Sequence, residues 1–457
     1  MKGKINLYSI IGIIYNVLAV ILCLILGTVK RDLWINFSFC LYICTLLANI
    51  FLLTKLKHSF FNLPFLFYAL LFLFHLSQIY FAFIGYEDYY CIFSRMDFNV
   101  CKKSFTYAFV CIHLSLITYY TIYRYKRSLT SNKGFKLSKL DKSILQGLFF
   151  ILFIIKIIFR SYWFYISQVF GYNELLSVMT SIPSLIVMMA DVFSIFYLKY
   201  CCTPKKRKWI LGVIVSMELL FMLSGSRITG ITYLLILFLV LPVGELSKSK
   251  FSIKKKILII IIGILLCLFL PTISANRLYE SRSIFSLSYL TQSNILDSVI
   301  KEFGMSILNT AVIIDNQNNI EFMHGLSYYG SLVSLLPNLG DLFDNLNEQF
   351  YYTNQLSKFF YYAYGGSNIA ESYINFGIFG VAIFIPVGIL LAKLDSVIES
   401  VFSHKIIVQL FFVALLYESI LWIRGYFFLM VRLPVWIVIM YIIIKGIFSR
   451  KKLTLKI

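Results

Sequence analysis

Apolar runs of about 18 or more residues recur along almost the whole chain, and no other feature constrains the fold as strongly. An α-helix needs a run of that length to cross the hydrocarbon core of a bilayer. Apolar residues make up 60% of the sequence and charged residues 14%, against roughly 45–50% and 25% in soluble proteins. The sequence therefore predicts an all-α polytopic membrane protein. It excludes a soluble enzyme, a secreted disulfide scaffold and a nucleic-acid-binding domain.

Short polar breaks divide these runs into about twelve predicted transmembrane helices. The predicted spans are Ile5–Gly27, Leu33–Leu53, Phe60–Ile84, Phe105–Tyr123, Ile144–Ile166, Thr180–Leu198, Trp209–Leu223, Ile228–Pro242, Ile257–Ser274, Ile369–Leu391, Ile406–Ile423 and Tyr426–Ile444. The first run lacks an A-x-A-like cleavage site, which favours an uncleaved helix over a signal peptide. We expect three segments: a membrane bundle over 1–275, a large outer loop over 276–366 and a second bundle over 367–457.

Basic residues set the predicted orientation. The net charge is +21, and most of it lies in segments that the twelve spans place on one side. These segments include 124–142, 205–208, 248–256 and the tail 445–456. The positive-inside rule therefore predicts a multi-pass plasma-membrane protein with both termini in the cytoplasm. The basic loops lie beside anionic lipid in this scheme and need no nucleic-acid partner.

The predicted outer loop, 276–366, differs from the rest of the chain in charge. It holds eight acidic and four basic residues, together with nine Tyr and ten Asn. Tyr rings and Asn amides are suited to hydroxyl-rich ligands, although a solvated cap over the bundle would have a similar composition. Apolar residues recur at helical spacing from Leu296 to Ala311, so we expect an amphipathic helix along the membrane surface there.

Motifs for cofactors and metals are absent from the sequence. It has no P-loop, no dinucleotide-binding glycine motif and no H-E-x-x-H, and its five His are scattered. The prediction is therefore a metal-independent protein with no cofactor. Most of the nine Cys lie in apolar runs, but Cys91 and Cys101 share a predicted outer loop, where a disulfide is one alternative.

Charged residues at membrane depth are the remaining candidates for function. Burying an Arg at the bilayer centre costs about 2.5–3.5 kcal/mol on insertion scales, so such residues usually line a cavity. The candidates are Lys156, Arg160, Asp191, Glu218, Arg227, Glu418, Arg424 and Arg432. Counting helical rise separates Lys156 and Asp191 by about 8 Å in depth, which argues against an ion pair between them. The run before Arg227, Trp209–Leu223, gives about 22 Å of helix, short of a roughly 30 Å hydrocarbon core, so the break at Arg227 should be recessed below the outer surface. Arg424 lies at a second break on the same side. For each arginine, a side chain that extends to lipid headgroups is the alternative.

A longer motif connects these residues to a known family. The run from Gly365 to Gly380, GGSNIAESYINFGIFG, resembles the signature of bacterial O-antigen and capsule repeat-unit polymerases, the Wzy family. Further similarities are Ser224-Gly225-Ser226-Arg227 at a helix break, Asn276-Arg277 at the start of the long loop, Gly325-Leu326-Ser327-Tyr328-Tyr329 before Pro337, and Arg424-Gly425. The resemblance extends over about Trp209 to Pro434.

The resemblance implies a metal-independent glycosyltransferase of the GT-C type. Such an enzyme transfers a growing glycan from undecaprenyl pyrophosphate to a new lipid-linked repeat unit. Its partners would be these lipid-linked repeat units, membrane lipid, and a chain-length regulator and flippase of the same pathway. The departing pyrophosphate needs cationic stabilisation, and arginine makes bidentate contacts with phosphate. The candidates for pyrophosphate binding are Arg227, Arg277, Arg282 and Arg424.

Glu371 is the leading candidate for the general base that activates the acceptor. Two other roles stay open for it, a hydrogen bond to the glycan and a capping box in which Asn368 is the N-cap residue. The candidates for glycan binding are Ser367, Asn368, Tyr373, His324 and Tyr328.

Two other functions remain as alternatives. An O-antigen ligase or another lipid-linked glycosyltransferase would share this architecture, and His324 is the one histidine that could serve a ligase at the outer face. A flippase of lipid-linked oligosaccharide is less compatible with the sequence, because transporters favour two similar halves and no internal repeat is visible here.

Overall fold

The structure, a computed structural model, describes residues 6–57, 62–124, 137–171, 174–175, 178–179, 181–222, 227–241, 295–336, 350–359 and 365–454. Within these residues, all regular secondary structure is helical. The α-helices are α1 (Leu7–Leu26), α2 (Arg31–Lys57), α3 (Leu63–His75), α4 (Ile79–Phe83), α5 (Phe98–Arg124), α6 (Lys139–Val169), α7 (Ser181–Tyr200), α8 (Pro204–Met222), α9 (Arg227–Val240), α10 (Ile295–Phe303), α11 (Ser306–Asp315), α12 (Leu326–Val333), α13 (Tyr352–Leu356), α14 (Asn368–Phe376), α15 (Phe384–Ser400), α16 (Ile406–Trp422) and α17 (Arg432–Thr454).

Seven stretches in the described part of the chain are long and apolar enough to cross a membrane. Shorter apolar helices, including α3, α9 and α16, accompany them. The prediction of an all-α polytopic membrane protein is confirmed. The number twelve stays a prediction, because the predicted span Ile257–Ser274 lies outside the described residues.

Some predicted spans differ from the observed helices. The predicted third span consists of two helices, α3 and α4. The stretch from 209 to 242, long for one span and short for two, belongs to two helices, α8 and α9. The basic residues before Trp209 join α8, which therefore has 19 residues instead of the predicted 15. Four of the five added residues are basic, so the apolar part of α8 still begins at Trp209 and stays shorter than the hydrocarbon core. A recessed break after α8 therefore stays a prediction.

Helix α1 has a buried side with small or polar residues and an exposed side with large apolar residues. The buried side includes Asn16, and the exposed side includes Ile14 and Leu22. Asn16 and Asn49 of α2 are fully or nearly fully buried, and each donates its amide to the other, at 2.9 and 3.1 Å. An exposed apolar surface over a polar helix contact is expected where lipid surrounds the bundle, because small residues and amide hydrogen bonds hold transmembrane helices together.

The two ends of the bundle differ in what they carry. The basic face is the end at which α2 and α17 finish and α6 begins. The loop face is the opposite end, where α10, α12 and α13 lie. A partly exposed ion pair joins two segments on the loop face, with Lys301 Nζ of α10 2.9 Å from Asp88 Oδ2.

The stretch from Leu296 to Ala311 forms two helices, and the expected amphipathic helix at the membrane surface is wrong for the second of them, α11. Every residue of α11 except Asp315 is buried, and the helix packs against α5 and α14 inside the bundle. The apolar spacing did predict a helix, but it could not show that the polar residues of α11 are enclosed as well. Residues of the predicted outer loop therefore form part of the core that supports the motif beginning at Gly365.

Cys91 and Cys101 are both free and buried, so the disulfide alternative is wrong. The Cys101 thiol instead points towards the Ile92 and Met96 carbonyl oxygens, at 3.7 and 3.8 Å. Both residues act as small packing groups, Cys91 within the loop that joins α4 to α5 and Cys101 in the first turn of α5.

Candidate active site

Helix α14 carries the central residues of the site, and contacts from Ser367 and from the distant Tyr352 fix where this helix begins. Ser367 is the N-cap residue, since its hydroxyl accepts a hydrogen bond from the Ala370 backbone N–H at 3.1 Å. The predicted N-cap, Asn368, is instead the first helical residue. The Tyr352 hydroxyl accepts from the Ser367 N–H at 2.6 Å and donates to the Ser367 carbonyl at 3.1 Å. Ser367 is fully buried as a result, and its own hydroxyl shapes the helix start.

The predicted motifs Gly365-Gly366 and Arg424-Gly425 meet here. Gly366 packs directly on Gly425, so closely that a Cβ atom on Gly366 would overlap the Gly425 carbonyl. A Cβ on Gly365 would lie 3.5 Å from Arg424 Nε, an ordinary contact. Glycine at 366 is therefore required by the approach of two backbones. This contact places the Arg424 side chain beside the start of α14.

The last two glycines of the motif, Gly377 and Gly380, are required for different physical reasons. Gly377 has φ +56°, a conformation that side chains disfavour, and it ends α14. A Cβ on Gly380 would overlap the Ser372 carbonyl. The chain then continues as a 3-10 helix, Gly377–Ile383, before α15. The motif thus describes a short helix with a sharp, tightly packed exit.

Glu371 is fully buried and connects α14 to the turn after α16. Its carboxylate accepts from the Trp422 indole N–H at 2.8 Å and from the Phe427 backbone N–H at 3.0 Å. Trp422 and Phe427 flank Arg424 in sequence, so Glu371 anchors the turn that carries this arginine. The capping-box interpretation is wrong, because the Glu371 carboxylate is bonded to this turn and not to the N-cap amide.

Further predicted residues surround this centre. The Tyr328 ring packs between Phe376 and Phe427, at centroid distances of 6.1 and 5.1 Å. The Tyr373 hydroxyl donates to Gln317 Oε1 at 3.4 Å. His324 is exposed and has φ +47°. Tyr373 thus lies on the Glu371 helix and Tyr328 packs at its end, whereas His324 is exposed next to Gly325, which bonds to Asn375 of this helix.

Asn368 is fully buried, and within the described part of the chain neither polar atom of its side chain has a hydrogen-bond partner. An unpartnered buried amide is costly, so Asn368 is suited to a ligand hydroxyl.

The predicted arginines are described to different extents. Arg424 is half-buried, with its guanidinium 5.8 Å from the centre of the Phe74 ring. Arg227 is the first residue of α9. Arg277 and Arg282 lie outside the described residues. The structure therefore brings Arg424 together with Glu371, Asn368 and Tyr328.

Sequence reasoning missed several residues of the site. Tyr352 and Trp422 hold Ser367 and Glu371, and Asn309 Nδ2 donates to the Gly365 carbonyl at 2.5 Å. His75 is fully buried beside Asn368 and Arg424. The abundance of Tyr and Asn in the loop was the one signal that could have pointed to Tyr352 and Asn309.

The argument against a pair between Lys156 and Asp191 is wrong. Lys156 forms salt bridges with both Asp191 and Glu218. Counting helical rise gives the depth of a Cα atom, whereas a lysine stem can carry its ammonium group well away from that depth.

These features define a polytopic membrane protein with a polar site, built on a buried carboxylate and an arginine-bearing turn, towards its loop face. The chain belongs to the O-antigen polysaccharide polymerase Wzy family, whose sequence model matches residues 10–452. It is thus a membrane glycosyltransferase that polymerises lipid-linked oligosaccharide repeat units. The resemblance noted from the sequence is confirmed. Comparison with curated proteins and with solved structures gave no match.

Proposed function

We propose that the enzyme transfers a glycan from undecaprenyl pyrophosphate to the non-reducing end of a new repeat unit, at the outer leaflet. The observation that carries this proposal is the junction of α14 with the turn after α16. There a buried carboxylate, Glu371, holds the turn that bears Arg424. A departing pyrophosphate needs a cation where water is scarce, which Arg424 can supply. The acceptor hydroxyl must lose a proton to a base, which Glu371 can supply.

Arg424 is the proposed centre of the pyrophosphate site, with Arg227, Arg277 and Arg282 as further cations. A guanidinium fork matches two phosphate oxygens, which a lysine ammonium cannot do. We expect Arg227→Ala and Arg424→Ala each to abolish chain extension at a normal protein level, and the Lys variants to restore only part of it. The measurement is the polymer length in a deletion strain that expresses each variant. Full activity of the double Ala variant would return both arginines to contacts with lipid headgroups.

Glu371 is the proposed catalytic base. A carboxylate offers about four acceptor positions, and the hydrogen bonds from Trp422 and Phe427 leave capacity for the proton of an acceptor hydroxyl. These two donors also fix the orientation of the carboxylate. A hydrogen bond from the glycan to Glu371 is the second proposed role.

The acceptor sugar is proposed to contact Asn368, Tyr328 and Tyr373, with His324 at the rim. Asn368 supports this best, because its amide is buried and unsatisfied within the described structure. Ser367 contributes by shaping the helix start, since its hydroxyl already caps α14. We also propose a chain-length regulator and a flippase as functional partners of the same pathway.

The proposed topology places both termini in the cytoplasm and the loop face outside. Cysteine labelling should find Lys206 and Ile457 inside and Asp344 outside. Labelling of the Asp344→Cys variant only after the inner membrane is permeabilised would refute an outer-face site.

A further inference from the structure

Three buried aspartates in the bundle share one arrangement. Each accepts hydrogen bonds from one lysine and one tyrosine on other helices. The three sets are Asp141 with Lys445 and Tyr441, Asp395 with Lys57 and Tyr119, and Asp191 with Lys156 and Tyr417.

Two of these sets belong to the basic face. Lys57 is the last residue of α2, and Lys445 lies near the end of α17 with 40% of its side chain exposed. The side chains of Lys57 and Asp395 are 5% and 3% exposed, so this pair is buried even though it lies at a helix end. Both sets connect the ends of neighbouring helices.

The third set is different, because it lies away from the helix ends and adjoins further charged residues. The side chains of Lys156 and Asp191 are 2% and 0% exposed. A second acid–base pair adjoins them, since Lys156 also contacts Glu218, and Arg160 lies 4.0 Å from Glu218. We call Lys156, Arg160, Asp191 and Glu218 the deep charge network. Two cations balance two anions in it.

The deep charge network is connected by hydrogen bonds to the first turn of α9, at Thr229. Arg160 Nη2 donates to the Thr229 hydroxyl at 3.1 Å. The Tyr417 hydroxyl lies 3.0 Å from Asp191 Oδ2 and 3.2 Å from the Thr229 carbonyl oxygen, and so connects these two acceptors. Thr229 is in the first turn of α9, two residues after Arg227. The network therefore holds the start of the helix that begins with this arginine.

Tyr417 extends the connection to the other arginine. It belongs to α16, and Arg424 follows seven residues later at the turn beyond this helix. Seven residues of helix correspond to about 10 Å of rise. The Tyr417 hydroxyl therefore connects the first turn of α9 by a hydrogen bond to α16, the helix that leads to Arg424.

We propose that the deep charge network, acting through Tyr417 and Thr229, positions Arg227 relative to Arg424 for the lipid-linked pyrophosphate. The proposal rests on the function proposed above for the two arginines. Stability alone is a weak reason for such a network, because apolar residues of equal volume are often as stabilising as a buried ion pair. Charges inside a membrane are usually kept for function. Placement matters here, since an error of about 1 Å in a catalytic group can cost about a hundredfold in rate.

The test compares two tyrosine variants in proteoliposomes supplied with synthetic lipid-linked repeat units. Tyr417→Phe removes the hydroxyl that connects the deep charge network to Thr229. Tyr441→Phe is the matched control, because it removes the hydroxyl 2.5 Å from Asp141 at the basic face. We expect kcat/KM to fall about tenfold or more in Tyr417→Phe and to change less than about twofold in Tyr441→Phe, at similar thermal stability. Thr229→Val should resemble Tyr417→Phe, and Thr229→Ser should restore activity because it keeps the hydroxyl.

A double-mutant cycle separates positioning from general weakening. If the network acts through Arg227, Tyr417→Phe should lower activity little further in an Arg227→Lys background. Two results would overturn the positioning role: equal losses of kcat/KM in Tyr417→Phe and Tyr441→Phe, or additive losses in the cycle. If Arg227→Ala is inactive in the same assay, the phosphate role of Arg227 still stands. Full activity of Arg227→Ala would instead overturn the phosphate role of Arg227, and this proposal with it.

Discussion

Replacement of Glu371 by glutamine tests the proposed chemistry most directly. Glutamine has nearly the same shape, and its carbonyl oxygen can still accept from Trp422 or Phe427, but it is not a base. A general base contributes about 10²–10⁴ in rate, which is about 3–5 kcal/mol of the activation barrier. If Glu371 only anchors the turn, glutamine loses at most one charge-assisted hydrogen bond, about 1.5–3 kcal/mol of stability. We predict a stable Glu371→Gln protein whose turnover falls by at least about a hundredfold.

Two measurements on the same variants distinguish these roles. Polymer length in a complemented deletion strain and turnover of the purified enzyme report the chemistry, and thermal unfolding reports the anchor. Glu418→Gln is the matched control, because Glu418 is another buried glutamate, 4% exposed, in α16; its change should leave polymer length near normal. Polymer of near-normal length from Glu371→Gln would remove this carboxylate from the reaction.

Three further predictions concern stability and pH. Gly366→Ala should lower the unfolding temperature strongly, because the new Cβ meets backbone, whereas Gly365→Ala should leave it nearly unchanged. Ser367→Ala should cost about 1 kcal/mol of stability, and Ser367→Gly should cost less, because glycine is a better N-cap residue than alanine and needs no additional space. Partial burial acts to raise the pKa of Asp88, but hydrogen bonds from Lys301 and Tyr86 outweigh it and hold that pKa below its usual value. Stabilisation by the ion pair is therefore complete above about pH 4 and lost as the pH falls through the lowered pKa. Hydrogen exchange in 295–303 should rise accordingly, and Asp88→Asn should abolish this pH dependence.

The sequence by itself determined the membrane class, most helices and the family. Hydropathy is read over about 18 consecutive residues, and a helix of that length forms from its own backbone hydrogen bonds, so α1, α2 and α6 could be located without knowledge of their neighbours. The glycine-rich motif from Gly365 to Gly380 was also visible, because its residues are adjacent in the chain.

The tertiary structure alone decided how these elements meet. The sequence predicted a helix near α11 but not its enclosure between α5 and α14. It could not show that Gly366 packs on Gly425, that Glu371 bonds to Trp422, or that Lys156 reaches Asp191. Each of these contacts joins groups tens of residues apart, and its geometry depends on the packing of whole helices and on side-chain reach. Local propensity and periodicity carry no information about either, so the site emerged only where separate helices came together.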